Sequence, residues 1–337
     1  MTDKTKVTEI MTGLGMIGGG DFRSTLPTRP PELHHVDDDT WQGVVDAWSV
    51  DEVSSIADAA YANGRYFLEA IDALRGRRPR LVEWVGPRRP PGDEVAPIDL
   101  RIDHVYLVSC KYMSKVILNP SPVRLFDRLL AAGHGARSSD WYHDVAPTEH
   151  QRLWQSCRTW LADESLPNDV TELSKTERRS VALALSFRSW PVELAADYQA
   201  LCAAVSERSA VRWNEAIAAA GPNTAEAILW RLLRIGSAPY FVLGVHGNGD
   251  ALRLRVASPW DWRQGFRFRH LEVEPLDGGQ PMVRWRAVVQ ERSTSFDRLI
   301  DGHVEIRWSH RRFGGPPEAK VYLDTPFDDV AGYWPLR

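Results

Sequence analysis

Residues 98–112 read IDLRIDHVYLVSCKY and are the stretch from which the fold can best be predicted. Two runs of β-forming residues, 98–102 and 105–112, flank Asp103 and His104, which favours two strands joined by a hairpin. Successive side chains of a strand point to opposite faces, so Ser109 and Lys111 share one face of the second strand. A lysine among apolar strand residues is costly to bury, and we expect it to meet a partner or an anion.

The length of the hairpin turn decides whether Asp99 meets Ser109. A two-residue turn would pair Asp99 with Val108 and direct its carboxylate away from Ser109, because a shift of one residue moves a side chain to the other face. A three-residue turn or a bulge would bring the two side chains together. One expectation is therefore that the carboxylate of Asp99, the hydroxyl of Ser109 and the amine of Lys111 converge at one point.

Residues outside this stretch predict the other layers. A short amphipathic helix begins near Thr40, a longer one runs from Ser49 to about Leu74, and a strand covers 81–85. After the hairpin, Ser121 and Pro122 are typical of the start of a helix, here extending to about residue 132. Helices around consecutive strands indicate an α/β fold.

The domain organisation follows from composition and capping signals. We predict an irregular N-terminal arm at 1–39, because it contains glycine and proline clusters, and an α/β core at 40–135. A helical insertion at 136–236 has predicted helix starts at Thr148, Ser174 and Asn223. The part at 237–337 is β-rich and antiparallel, and its strand at 240–245 is expected to return to the core sheet.

Bulk properties exclude several classes of protein. The chain has 337 residues, of which 43% are hydrophobic and 26% charged, as in ordinary globular proteins. Its three cysteines are far apart, which argues against a disulfide framework or a zinc ribbon. No secretion signal or membrane span is visible, so we expect a cytoplasmic protein without a membrane partner. The formal net charge of −4 means that any nucleic-acid surface depends on local arginine clusters.

The sequence around the hairpin resembles the PD-(D/E)xK restriction-endonuclease-like nuclease superfamily. Pro97-Ile98-Asp99 matches the first half of the motif and Ser109-Cys110-Lys111 the second, with serine where most members have an acid. The resemblance implies a restriction-endonuclease-like core sheet flanked by helices. It also implies a glutamate on the preceding helix, for which Glu69 is the candidate.

The activity that the resemblance implies is Mg²⁺- or Mn²⁺-dependent hydrolysis of DNA phosphodiester bonds. Asp99, Glu69 and Ser109 would be the metal ligands, and Lys111 would complete the catalytic set by polarising the phosphate. Such sites bind the metal through oxygen ligands and use it to activate water. Restriction or phage defence is the implied setting, with DNA as partner and a homodimer or a defence-system subunit as assembly.

Residues for DNA contact flank the proposed site. The resemblance implies phosphate contacts just after the second strand, where a helix N-terminus would also suit an anion. A basic run precedes the hairpin. The predicted nucleic-acid-binding residues are Lys115, Asn119, Ser121, Arg77, Arg78, Arg88 and Arg89.

Other interpretations of these residues remain open. Asp99 could be a solvent-facing strand residue paired with Arg101, Lys111 an edge-strand charge and Glu69 an exposed helix residue. The serine at position 109 favours a second function, a catalytically inactive DNA-binding or assembly subunit. A protein-interaction scaffold would require Asp99 and Lys111 to lie apart.

The C-terminal strands alternate arginine with apolar residues. The arginines are Arg253, Arg255, Arg267, Arg269, Arg284, Arg286, Arg307, Arg311 and Arg312. They could form a cationic surface for phosphates, with Trp260, Trp262, Trp285 and Trp308 for stacking. Alternatively, Glu272, Glu274, Glu291 and Glu305 pair with them across strands and leave a neutral face.

Overall fold

The structure, a computed structural model, describes residues 3–18, 28–48, 51–86, 96–112, 115–131 and 140–337. The chain forms two compact units. The first contains Met1–Ser114, Arg234–Phe266 and Pro326–Arg337, and the second contains Lys115–Leu233 and Arg267–Thr325.

The described residues form ten α-helices and twelve strands. The helices are α1 (Asp3–Ile17), α2 (Asp38–Trp48), α3 (Asp51–Glu69), α4 (Pro122–Phe126), α5 (Trp141–Val145), α6 (Pro147–Leu161), α7 (Lys175–Ala184), α8 (Val192–Ala220), α9 (Pro222–Leu232) and α10 (Pro259–Gly265). The strands are β1 (Leu33–His34), β2 (Val82–Trp84), β3 (Leu100–Ile102), β4 (Tyr106–Tyr112), β5 (Val116–Leu118), β6 (Tyr240–Val245), β7 (Ala251–Val256), β8 (Phe266–Asp277), β9 (Pro281–Glu291), β10 (Asp297–Trp308), β11 (Pro317–Leu323) and β12 (Tyr333–Pro335).

The first unit contains a mixed sheet with the strand order β1-β2-β3-β4-β6-β7-β12. β2, β3 and β4 are antiparallel neighbours, whereas β6 runs parallel to β4. The expected return of residues 240–245 to the sheet of the hairpin is therefore confirmed. Helices α1, α2 and α3 pack on one face of this sheet, which we call the helix face; its sheet residues include Leu100, Val108 and Phe241.

Helix α1 corrects the expectation of an irregular arm at residues 1–39. Val7, Ile10, Met11 and Leu14 follow the helical i, i+3, i+4, i+7 spacing and are all buried. Of the run Gly18-Gly19-Gly20 that suggested irregular chain, residues 19 and 20 lie outside the described residues, whereas Gly15 within α1 has a packing role. A Cβ at Gly15 would lie 2.2 Å from the carbonyl oxygen of Tyr61, so glycine lets α1 approach α3 closely.

The second unit combines helices α4–α9 with the sheet β5-β11-β10-β9-β8. Strands β9, β10 and β11 are antiparallel, as is the pair β11–β5. The C-terminal β-rich part predicted at 237–337 is thus divided between the units. Hydrogen bonding is the reason, since β6 and β7 extend the sheet of β4, while β8–β11 pair among themselves and with β5.

The three predicted helix starts have different outcomes. Ser174 caps α7 in a reciprocal capping box with Glu177, as expected. Helix α6 instead starts after Ala146, so Thr148 lies within it, and α9 starts after Gly221, so Asn223 is not its cap. In both cases a proline at the first helical position marks the start, because its missing N–H needs no partner there. Ser121 caps α4 as expected, although this helix ends at Phe126.

Candidate functional site

A three-residue turn joins β3 to β4. Ile102 is opposite Tyr106, and the N–H of Val105 donates to the carbonyl of Ile102. Asp103 and His104 both have left-handed backbone, with φ of 49° and 57°. The carboxylate of Asp103 accepts from the backbone N–H groups of Arg80 and Leu81 at 2.8 and 3.0 Å, which holds the turn in place. The condition for Asp99 to meet Ser109 is therefore fulfilled.

Asp99 lies beside Ser109 at the end of the β3–β4 pairing. Ser109 Oγ donates to Asp99 Oδ2 at 3.2 Å, and the backbone N–H of Cys110 donates to the same oxygen at 2.7 Å. The Asp99 carboxylate thus replaces a backbone acceptor where β3 has ended. Asp99 is only 8% exposed and Ser109 is fully buried, so the alternative of a solvent-facing Asp99 is wrong.

Lys111 shares a strand face with Ser109. Its neighbour in register on β6 is Gly244, at which a Cβ would lie 2.0 Å from the carbonyl oxygen of Lys111. Glycine therefore permits close approach of the two strands here. Cys110, between Ser109 and Lys111, packs on the helix face, so the Ser109 and Lys111 side chains project from the opposite face.

Glu69 is not brought to Asp99. It is the last residue of α3, its side chain is 66% exposed, and it forms an ion pair with Arg65 at 3.1 Å. Phe67 packs against Phe241 on the helix face, with ring centroids 5.0 Å apart. A residue two positions further lies about 200° around the helix and points away from the sheet. The structure therefore matches the alternative of an exposed helix residue for Glu69.

Glu9 is a buried carboxylate that the sequence interpretation missed. It lies on α1, is only 5% exposed, and accepts from the indole N–H of Trp84 at 2.6 Å. Burial raises the pKa of the Cys110 thiol well above its usual value, and the charges of Asp99 and Glu9 raise it further. The charges of Asp99 and Glu9 therefore both disfavour ionisation of the Cys110 thiol. The helical spacing of residues 7–14 was the signal that could have revealed Glu9.

The proposed DNA-contact residues Lys115, Asn119 and Ser121 lie next to β5 and α4 and belong to the second unit. Lys115 is exposed, and the amide of Asn119 donates to Glu318 at 3.0 Å. Ser121 Oγ accepts the N–H of Arg124 at 3.4 Å. The N-terminus of α4 is thus capped by its own serine, which competes with an external anion.

The basic run before the hairpin is only partly described. Arg77 forms an ion pair with Asp103 at 2.7 Å, and this hydrogen bond raises the pKa of the guanidinium. Burial raises the pKa of Asp103, but hydrogen bonds from Arg77 and two backbone N–H groups outweigh it and lower the value overall. Arg78 is exposed. Arg88 and Arg89 lie outside the described residues.

Most of the C-terminal arginines named above have acidic neighbours. Arg284 contacts Glu274 at 3.0 Å, and Arg286 contacts Asp301 at 2.9 Å and Glu272 at 3.8 Å. Further pairs are Arg298–Glu291, Arg307–Glu305, Arg307–Glu318 and Arg269–Asp297. In the second sheet, these arginines therefore pair with acidic residues, as in the alternative of a neutral face. Trp262 and Trp285 are buried and cannot stack on a nucleic acid.

In the part of the chain that the structure describes, no three His, Cys, Asp or Glu side chains come close enough together to hold a metal ion. None of its helices combines the length and the apolar character needed to cross a membrane.

Comparisons with known proteins identify no relative. No protein-family model, no curated protein and no solved structure matches the chain. The contacts within the chain are therefore the basis for any functional proposal.

Proposed function

We propose that the chain hydrolyses phosphodiester bonds of DNA at a site formed by Asp99, Ser109 and Lys111. The observation that carries this proposal is the 3.2 Å contact between the Asp99 carboxylate and Ser109, with Lys111 on the same strand face. The parallel placement of β6 beside β4 supports a restriction-endonuclease-like core as part of the same proposal.

The oxygen donors at this site are of the type that Mg²⁺ prefers. A carboxylate and a hydroxyl are hard ligands, and Mg²⁺ commonly binds one or two carboxylates while keeping waters and taking phosphate oxygens from the substrate. Asp99 would hold the ion, with Ser109 assisting. When bound, the metal would supply an activated water and offset charge on the phosphate.

The protein's own groups have distinct tasks in this proposal. The hydrogen bonds from Ser109 and the Cys110 N–H hold the Asp99 carboxylate in one orientation. Lys111 would bind a phosphate oxygen and stabilise the charge that develops on it. Glu9 lies on the helix face, across the sheet from Ser109 and Lys111, and Glu69 is exposed, so Asp99 is the carboxylate of this proposal.

Cleavage of supercoiled plasmid DNA with Mg²⁺ or Mn²⁺ tests this proposal. We expect nicking by the wild-type protein and a loss of at least 100-fold in Asp99→Asn and Lys111→Met. Glu69→Gln is the matched control: it also removes one carboxylate, but from an exposed position, and should cut at the wild-type rate. Equal cutting by all four proteins would show that the site is elsewhere. Circular dichroism establishes that each variant is folded.

A second candidate is a non-catalytic DNA-binding or assembly subunit with the same core. The burial of Asp99 and the two hydrogen bonds already accepted by its Oδ2 favour this alternative. Binding of DNA without cleavage by the wild-type protein, unchanged in Asp99→Asn, would support it over the nuclease.

The biological setting is part of the proposal and follows only from the sequence resemblance. It comprises a cytoplasmic role in restriction or phage defence, either as a homodimer or with a partner subunit. Survival of phage infection by cells that express the wild-type protein, compared with the Lys111→Met variant, tests it.

A further inference from the structure

The second unit contains a cleft of about 390 Å³ that is lined by three arginines and by no acidic residue. It lies between the segment after α7 and the turn that follows β10. The lining residues are Leu185, Ser186, Phe187, Arg307, Trp308, Arg311 and Arg312. Its volume falls within the range of small-molecule sites.

Backbone carbonyls and aromatic rings hold Arg312, and none of them carries a negative charge. Its Nη1 donates to the carbonyl oxygens of Leu185 and Phe187 at 2.7 and 2.6 Å. The guanidinium also lies over the rings of Phe187 and Trp190, 4.2 and 4.5 Å from their centroids. These contacts immobilise the side chain. Within the described part of the chain, its Nε and Nη2 have no hydrogen-bond partner, and this is the edge that binds an anion in bidentate fashion.

Arg311 adds a second uncompensated charge. It is exposed, and none of the described residues forms an ion pair with it. Its backbone is left-handed, with φ of 65°, and that of Phe313 is also left-handed at 58°. Non-glycine residues rarely adopt this conformation without support from their surroundings. Phe313 provides that support, since it is fully buried and stacks on His150 with ring centroids 5.5 Å apart.

Arg307 differs from these two arginines. It contacts Glu318 at 3.4 Å and Glu305 at 3.6 Å, so its charge is balanced within the sheet. The excess positive charge of the cleft therefore comes from Arg311 and Arg312. Burying a guanidinium without a counter-charge is unfavourable, and burial lowers the pKa of Arg312. An anion in the cleft would remove that penalty.

We propose that this cleft binds the phosphate group of a small phosphomonoester, with Arg312 and Arg311 as its ligands. A rigid guanidinium with a free Nε–Nη2 edge matches two phosphate oxygens, and the neighbouring exposed Arg311 can reach a third. The volume admits a group of about nucleotide size beside the phosphate. This inference does not depend on the proposed nuclease activity, since all the residues belong to the second unit.

Isothermal titration calorimetry with adenosine monophosphate, inorganic phosphate and adenosine tests the proposal. We expect binding of both phosphate-bearing probes and none of adenosine. Arg311→Ala should weaken binding about 10-fold, because one charge-assisted contact is lost. Arg312→Lys keeps the charge but loses the bidentate edge and should weaken binding at least as much. Arg128→Ala removes an exposed arginine that follows α4 and does not line the cleft, and it should bind like the wild type.

Three outcomes would overturn the proposal. One is the absence of binding by both phosphate-bearing probes at millimolar concentration. Another is an equal effect of Arg311→Ala and Arg128→Ala. The third is tight binding of a single-stranded oligonucleotide together with no binding of adenosine monophosphate, which would make the cleft part of a nucleic-acid surface. Thermal melting shows whether each variant is folded.

Discussion

Ser109 donates a hydrogen bond to the Asp99 carboxylate at 3.2 Å across the end of a β-hairpin, and both residues are buried. This pair joins two strands at the point where backbone pairing between them stops. Its structural contribution can be measured apart from any catalytic role.

Replacement of Asp99 by alanine should destabilise the protein by about 2 kcal/mol, because the Cys110 N–H and the Ser109 hydroxyl lose their acceptor in a buried place. Ser109→Ala removes one donor and should cost about 1 kcal/mol. Urea denaturation followed by tryptophan fluorescence measures both free energies of unfolding. If the two variants are as stable as the wild type, the contacts at this end of the hairpin contribute nothing to stability.

Gly244→Ala should destabilise the first unit by about 3 kcal/mol. The new Cβ would lie 2.0 Å from the carbonyl oxygen of Lys111, so β4 and β6 would have to separate, and overpacking of this kind is costly. Gly247→Ala is the control, since a Cβ there has nothing within 4 Å. Guanidinium denaturation of both variants gives the comparison, and a similar loss in the two would contradict the close approach of the strands.

Burial of His150 should make stability depend on pH. The residue is fully buried, neither ring nitrogen has a hydrogen-bond partner among the described residues, and burial lowers its pKa to about 4. The unfolded chain, with a histidine pKa of about 6.5, binds a proton first as the pH falls. The folded state therefore loses stability between pH 6.5 and pH 4, by about 3 kcal/mol in total.

The His150→Phe variant checks this dependence. Free energies of unfolding at pH 7 and pH 4 should differ less in this variant than in the wild type, by about the amount assigned to His150. His270→Phe removes an exposed histidine of β8, which is not among the charges that act on His150, and should keep the wild-type pH profile. A wild-type profile in His150→Phe would mean that the imidazole is protonated in the folded state.

The capping box of α7 should stabilise the second unit. Ser174→Ala removes the acceptor for the Glu177 N–H and should cost about 1 kcal/mol. Thr148→Ala is the matched change in α6, where threonine lies inside the helix and caps nothing, so we expect little effect. Thermal unfolding of the two variants separates these cases, and an equal loss would mean that Thr148 is a cap after all.

Local sequence was sufficient to predict the hairpin and the residues on its faces. Alternation in 105–112 places Ser109 and Lys111 together whatever surrounds them, because successive side chains of a strand always point to opposite faces. The spacing of Val7, Ile10, Met11 and Leu14 likewise predicts a helix, although the neighbouring glycines and prolines obscured it. Such periodic patterns depend only on backbone geometry.

Tertiary structure alone decided the surroundings of the site. Lys111 lies beside Gly244 because β4 pairs with β6, which is more than a hundred residues away in the chain. Glu9 meets Trp84 across 75 residues, and the arginines of the second sheet find their acids on neighbouring strands. These contacts result from the packing of whole elements against each other. No short stretch of sequence contains that information, since burial and pairing depend on residues distant in the chain.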